Sequence, residues 1–313
     1  MLVKLALMFK QIKDSILDAS VYFSFDASGF RRHQKDFQYS LEELTFSGPV
    51  LITGGTSGIG KSMVEFLLTK NVPVIATGRN LDKAKDLKER GADLKVLDMA
   101  DWDRMDAFVE DCRQLHAVVC NAGGMPEKFN TNDYGVELQM ASQLYGHYFL
   151  LRRLIEAGKL VKGGRIVWVS SGGMYLNKLH LDNIESNAEY DKVSTYANVK
   201  RAQVVLNQEL KTNSIFSDYH VNAMHPGWVA TPGVSESIPK FEEMTRNRLR
   251  QPIEGGDTIL WLISQQGPDS SGGFYFDRKE VSPYAFWWTR EKPEVREKLL
   301  HDLVERYEYA FKS

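Results

Sequence analysis

The segment Pro49-Val50-Leu51-Ile52-Thr53-Gly54-Gly55-Thr56-Ser57-Gly58-Ile59-Gly60-Lys61-Ser62 constrains this chain more than any other. A short apolar run that enters a glycine turn and leaves it as a helix is the local plan of an α/β sheet, with the turn at the carboxyl end of a buried strand. The helix N-terminus there presents free N–H groups and partial positive charge, so a phosphate group is the expected ligand. Two phosphate patterns overlap on these residues. From Gly55 the spacing is G-x-x-x-x-G-K-S, with Lys61 and Ser62 as the lysine and magnesium hydroxyl of a triphosphatase loop. From Thr53 it is T-G-x-x-x-G-x-G, a dinucleotide-binding turn.

Apolar runs alternate with helix-period segments along the rest of the chain. Strands are expected at Pro49 to Thr53, Val72 to Thr77, Leu94 to Asp98, Ala117 to Cys120, Arg165 to Ser170 and Val221 to His225. Helices are expected at Lys61 to Lys70, Asn80 to Arg90, Trp102 to Arg113, Val136 to Ala157, Ser194 to Lys211 and Gly256 to Ser264. The near-continuous hydrophobicity of the strands implies burial on both faces, hence a Rossmann-type doubly wound parallel sheet in three α/β/α layers. The expected organisation is an N-terminal helical extension and connector over 1–47, one dinucleotide-binding α/β domain over 48–285 and a C-terminal surface helix within 286–313.

Composition narrows the classes. The 313 residues are 43% hydrophobic, enough for a substantial core. With 39 basic against 41 acidic side chains there is no overall positive field for nucleic acid. Two cysteines, Cys112 and Cys120, exclude a disulfide framework and suit a reducing, intracellular compartment. Met1 to Ile16 places Leu5, Met8, Phe9, Ile12 and Ile16 at helical spacing among Lys4, Lys10 and Lys13. Such an amphipathic helix packs on a protein surface or lies in a membrane interface, so the expected location is cytoplasmic or peripherally membrane-associated. No metal cluster is expected.

Two further motifs carry chemistry. Tyr196-Ala197-Asn198-Val199-Lys200 puts a phenol and an ammonium on one helical face. A nearby cation favours phenolate, so Lys200 is expected to lower the Tyr196 pKa and make it a general acid/base. Upstream, Gly164 to Val169 is a strand that delivers Ser170 and Ser171 to its carboxyl end, where either can bond a ligand or a local backbone group. No G-x-S-x-G elbow surrounds them, which argues against a nucleophilic serine.

Thr53 to Gly60, Asp98, Asn121-Ala122-Gly123, Ser171, Tyr196 to Lys200 and His225-Pro226-Gly227, in that order, resemble the short-chain dehydrogenase/reductase family over about residues 48–285. The resemblance implies that Tyr196 exchanges a proton with a carbonyl or alcohol oxygen, that Ser171 orients this oxygen and that Lys200 holds the nicotinamide ribose. It further implies dinucleotide contacts from Gly54, Thr56, Ser57, Gly58, Ile59 and Gly60, from Asp98 and Met99 near the adenine, from Asn121, Ala122 and Gly123, and from Pro226, Gly227, Val229 and Thr231. Asp98 is equally suited to capping the next helix, and Asn121 to bracing nearby backbone. Gln143 stands where the family has a catalytic-helix asparagine, so its longer amide puts the proton path in question.

The second strand ends in Gly78-Arg79 with no carboxylate for a ribose 2′-hydroxyl. Arg79 can instead meet a 2′-phosphate, which favours NADP(H) over NAD(H). Gly172 to Tyr190 and Pro232 to Arg250 are candidate lids, with Met174, Tyr175, Leu176, Ile238 and Phe241 suited to an apolar carbonyl or alcohol substrate. The triphosphatase reading needs an acidic magnesium strand, which is missing, and leaves Tyr196 and Lys200 unexplained. The expected function is an NADP-dependent carbonyl/alcohol oxidoreductase, homo-oligomeric by family expectation. The alternative is a catalytically weak dinucleotide-binding scaffold or sensor.

Overall fold

The computed structural model describes residues 17–18, 21–181, 190–237, 239–245 and 247–312. The amphipathic segment Met1 to Ile16 lies outside them, as do residues 182–189, Ile238, Arg246 and the side chains of Leu176 and Phe241 within the expected lids.

Eight strands form one sheet: β1 (Val50–Ile52), β2 (Val74–Gly78), β3 (Asp93–Val96), β4 (Leu115–Cys120), β5 (Leu160–Val169), β6 (His220–Met224), β7 (Phe274–Phe276) and β8 (Lys279–Glu280). Their spatial order is β3-β2-β1-β4-β5-β6-β7-β8, and every neighbouring pair is parallel except β7 and β8. The order reverses between β1 and β4, the switch point at which doubly wound sheets open a crevice at their carboxyl ends.

Register sorts the apolar residues by face. Leu51 lies opposite Ile75 and Val118, Val118 opposite Ile166, and Ile166 opposite Val221. These belong to one core with Met105, Phe108, Leu150, Leu154, Val199 and Leu206. Their immediate neighbours Val50, Ile52, Val119 and Val167 join the other core with Met63, Val64, Leu67, Ile259 and Leu260. A strand alternates its side chains, so fully apolar strands feed both faces at once. The first face is covered by helices containing Met105–Glu110, His147–Glu156 and Lys192–Leu210; the second is covered by Gly58–Thr69 and Pro252–Ile263.

Helix starts follow local chemistry. In α1 (Ala27–His33) the Asp26 carboxylate accepts from Gly29 N at 2.9 Å. Asp191 caps Lys192–Leu210 by accepting from Ser194 N at 2.6 Å. Before Pro252–Ile263, Gln251 and Glu254 form a capping box ahead of a proline in the first turn.

The structure adds to the expected plan in four places. The helix expected over Val136 to Ala157 is Leu138–Met140 and His147–Glu156 joined by a π-helical turn over Ala141–Gly146. The C-terminal helix Pro293–Lys312 buries Leu299, Leu303 and Tyr307, four residues apart, so it covers the first core as well as facing solvent. Strands β7 and β8, three and two residues long, are too short for a periodic signal. Their hairpin turns at Asp277 and Arg278, both left-handed at φ 46 and 60, where glycine or asparagine is usual. Two buried bidentate pairs hold it: Arg250 with Asp277 at 2.5 and 2.9 Å, and Arg278 with Asp257 at 2.6 and 2.8 Å.

The fourth place is the connector Asp26 to Phe46, which packs on the domain. Trp228 N and Arg250 Nε both donate to Phe25 O, at 2.8 and 2.9 Å, and Ala27 N donates to Arg248 O at 2.8 Å. Arg248 Nε bonds the Asp26 carboxylate at 2.8 Å, and His33 Nδ1 lies 2.6 Å from Asp277. Among the described residues, no helix is long and apolar enough to cross a membrane.

Candidate active site

The predicted residues gather along the carboxyl edge of the sheet: the glycine turn after β1, Arg79 after β2, Asp98 after β3, Asn121 after β4, Ser171 after β5 and Pro226 after β6. The turn itself is close-packed. A Cβ on Gly60 would come within 2.2 Å of Gly54 O, and one on Gly78 within 2.5 Å of Thr56 Oγ1, so the two glycines let the turn seat against its helix and against β2. Ser57 precedes Gly58–Thr69 with extended backbone and makes no side-chain cap, which keeps the first-turn N–H groups for an anion. Asn121 Nδ2 donates to Thr53 O at 2.9 Å and Gly54 O at 3.3 Å, bracing the turn.

Lys61 and Ser62 do not address this turn. Lys61 Nζ pairs with Asp86 of the next α-helix at 2.9 Å, and Ser62 Oγ donates to Ile59 O of its own helix at 2.8 Å. Arg79 is exposed at the end of β2 and makes no ion pair with any described residue. The Asp98 carboxylate accepts from Ala100 N at 3.0 Å, and Met99 is buried beneath it. Gly227 and Val229 lie on the loop fastened by Arg250 N to Trp228 O and by Ala230 N to Arg250 O, with Thr231 following.

The two serines have separate positions. Ser170 Oγ donates to Lys200 O at 2.8 Å and is consumed by the fold. The Ser171 hydroxyl accepts from Gly173 N at 3.2 Å and lies near enough to the Tyr196 phenol to draw its pKa down. Lys200 is buried, with Nζ donating to Val169 O at 2.9 Å and to Gln203 Oε1 at 3.2 Å, and it lies 5.3 Å from the Tyr196 ring centroid.

Electrostatics here correct one expectation. Burial pushes the Tyr196 phenol up to about 12, against a smaller downward pull from the Ser171 hydroxyl, although the residue is partly exposed. Burial also lowers Lys200 to about 7, so its ammonium is only partly charged at neutral pH and exerts a weakened field. Lys200 therefore does not depress the phenol pKa here.

Gln143 sits in the π-helical turn with Nε2 donating to Gly124 O at 2.8 Å and Oε1 buried without a partner among the described residues. Its main-chain carbonyl accepts from Gln203 Nε2 at 2.7 Å and from His147 Nδ1 at 3.0 Å. Because Nδ1 donates, His147 Nε2 is the acceptor for Thr53 Oγ1 at 2.8 Å, while that hydroxyl accepts from Asn121 N and Ala122 N. Burial lowers His147 to about 4, which keeps the ring neutral. His225 is likewise held neutral, lowered to about 3 by burial, and stacks on Phe276 at 4.2 Å. It is no triad base.

Sequence reasoning missed Gln203, His147 and Phe25. Helical spacing could have found the first two, which lie three and four residues beyond Lys200 and Gln143. Phe25 carries no such signal; its ring lies against Gly172, where a Cβ would come within 2.4 Å of it, and against His225 at 4.6 Å. A separate cavity of about 290 Å³, lined by Phe46, Gly48, Val50, His116 and Arg165, opens at the amino ends of β1 and β5, away from Tyr196.

A glycine turn at the sheet's switch point, with a serine, tyrosine and lysine meeting at the adjacent strand end, defines a dinucleotide-linked oxidoreductase. The chain belongs to the short chain dehydrogenase family, which matches residues 49–241 and whose members use NAD(H) or NADP(H). It is similar to human dehydrogenase/reductase SDR family member 12, with 33% identity over 300 residues that span 91% of this chain and 94% of that one. It also resembles human polyprenol dehydrogenase, at 31% identity over 74% of this chain and 77% of the relative. A crystal structure of an uncharacterised protein from Mycobacterium paratuberculosis shares the fold, with a TM-score of 0.69 at 20% identity, covering 86% of this chain and 97% of that one.

Proposed function

We propose that the protein interconverts a carbonyl and an alcohol on an apolar small molecule, with NADP(H) as the hydride carrier. The observation that supports this most is the Ser171 hydroxyl set beside the Tyr196 phenol, with the buried Lys200 Nζ 5.3 Å from the same ring. A nicotinamide dinucleotide, when bound, supplies or accepts the hydride. Tyr196 holds the proton that matches it: its phenol, kept protonated at neutral pH by burial, donates to the oxygen of a carbonyl being reduced and takes that proton back in the reverse reaction. Ser171 orients the same oxygen. Thr56, Ser57, Gly58 and Ile59 take the pyrophosphate, Lys200 and the Pro226–Thr231 loop hold the nicotinamide half, and Asp98 and Met99 border the adenine. Arg79, in no ion pair with a described residue, favours a 2′-phosphate, and the likeness to polyprenol dehydrogenase supports an apolar substrate.

Purified protein with NADPH and a panel of hydrophobic aldehydes and ketones tests this directly. Oxidation of NADPH should appear with at least one of them, and Tyr196→Phe should reduce it by about 10²-fold or more. Nucleotide binding without Tyr196-dependent turnover would establish the scaffold reading in its place.

A further inference from the structure

Nine large apolar side chains are exposed among the described residues, and three of them are consecutive: Phe286, Trp287 and Trp288, exposed by 56%, 77% and 53%. Single exposed apolar residues are ordinary, whereas a contiguous aromatic patch marks an interaction site. The rings form one fixed unit. Phe286 and Trp288 stack with centroids 4.6 Å apart and planes 1° from parallel, and Trp287 meets Trp288 edge-on at 5.6 Å.

The turn that carries them is anchored. Thr289 Oγ1 donates back to Phe286 O at 2.7 Å, and on the inner side Arg201 binds both Glu291 and the Pro283 carbonyl. Arg201 and Glu291 are almost fully buried, Tyr284 stacks under Arg201 at 4.7 Å, and its hydroxyl bonds Gln208 at 3.1 Å. The same loop holds the Ser171 side of the site, because Tyr175 Oη donates to Ser282 O at 2.7 Å. A preformed aromatic turn loses little conformational freedom on binding.

Area and charge decide what it fits. Three rings with these exposures on one convex turn offer on the order of 400 Å², well short of the ~800 Å² that each partner contributes to a stable protein interface. Across 284–292 the single carboxylate, Glu291, is buried against Arg201, which leaves Arg290 and Lys292 as the exposed charges, neither in an ion pair with a described residue. Tryptophan rings flanked by cations match the headgroup boundary of an anionic bilayer.

We propose that Phe286–Trp288 docks the protein on an anionic lipid surface, with the rings entering the headgroup region and Arg290 and Lys292 meeting lipid phosphates. Docking there brings the Ser171 side of the site to the lipid, and this second consequence, uptake of an apolar substrate from the bilayer, rests on the proposed function. The docking itself does not.

Co-sedimentation of the full chain with vesicles of phosphatidylcholine, with and without phosphatidylserine, tests the docking without reading turnover. The full chain should sediment with the mixed vesicles, and brominated acyl chains should quench its tryptophan emission. Trp287→Ala/Trp288→Ala should bind about tenfold more weakly or worse. Arg290→Gln/Lys292→Gln should lose about twentyfold on mixed vesicles, near fivefold per cation, and little on phosphatidylcholine alone. Because Trp287 projects into solvent, Trp287→Lys should keep the wild-type melting temperature and still lose binding. Failure of the full chain to sediment overturns the proposal. So does undiminished binding by the double tryptophan variant, which would place the contact elsewhere in the chain. A concentration-dependent dimer in light scattering that the tryptophan substitutions abolish, with no vesicle binding, would make a second copy the partner and also overturn it.

Discussion

Lys200 and Gln143 lie on different helices, yet one carboxamide joins them: Gln203 Oε1 accepts from Lys200 Nζ at 3.2 Å while Gln203 Nε2 donates to the Gln143 carbonyl at 2.7 Å. From there His147 continues the chain of bonds to Thr53 at the start of the glycine turn. A neutral amide orients its partners but gives up its own protons reluctantly, so Gln203 is read as a positioning residue for the lysine. Gln203→Leu should lower kcat by about tenfold, less than the loss expected of Tyr196→Phe. Gln203→Glu places a negative charge beside Lys200, favours its charged form and should move the alkaline limb of the kcat profile up by about one pH unit. Profiles unchanged in both variants would reduce Gln203 to packing.

Burial of Lys200 also sets a stability term. Its pKa is about 7 in the fold against 10.5 for the unperturbed side chain, so between those values the unfolded chain holds a proton that the folded chain has released. Stability therefore rises with pH across that window, and the cost of burying the ammonium is greatest below it. Lys200→Met should flatten the rise by about 1 kcal/mol per pH unit, measured by urea unfolding without nucleotide. Parallel wild-type and variant curves would contradict the buried neutral lysine.

Cofactor choice is tested at Arg79. Reversing its charge in Arg79→Asp sets a carboxylate against a 2′-phosphate and offers an acceptor to a 2′-hydroxyl. NADPH affinity should fall by about tenfold or more while NADH binding holds or improves, as read by titration calorimetry. Equal losses for the two nucleotides would remove Arg79 from the site.

The pair between Arg250 and Asp277 joins the left-handed β7–β8 turn to the Phe25 segment, because the same guanidinium also donates to Phe25 O and to Ser24 O at 3.1 Å. Asp277→Asn leaves Arg250 buried without its counter-charge, a loss of about 3–5 kcal/mol. Denaturant unfolding should show it, with earlier proteolysis ahead of α1. A change below about 1 kcal/mol would mean that the pair only offsets its own desolvation.

Much of this molecule was legible in its residues because the signals are local. Apolar runs between helical periods announced a parallel sheet, and Thr53 to Gly60, Ser171, Tyr196 and Lys200 all fell on the carboxyl edge that such a sheet supplies. The turn's two phosphate readings were separable in the sequence through Tyr196 and Lys200, which the triphosphatase reading leaves unexplained, and in the structure Lys61 pairs with Asp86. Strands β7 and β8 were not legible. Two and three residues carry no period, and their turn breaks the usual residue preference because buried ion pairs, formed with residues distant in sequence, hold it in place.

Sequence by itself determined the six-stranded parallel part of the sheet, the family and the residue types at the strand ends, because backbone hydrogen bonding and burial patterns act over short distances along the chain. Only the tertiary structure decided how those residues behave. Enclosure raised the Tyr196 phenol and drove Lys200 towards neutrality, Gln203 linked Lys200 to Gln143, and Phe25 came from 147 residues upstream to lie against Gly172. Desolvation and contact between distant segments depend on what surrounds a side chain in space, and spacing along a sequence does not record that.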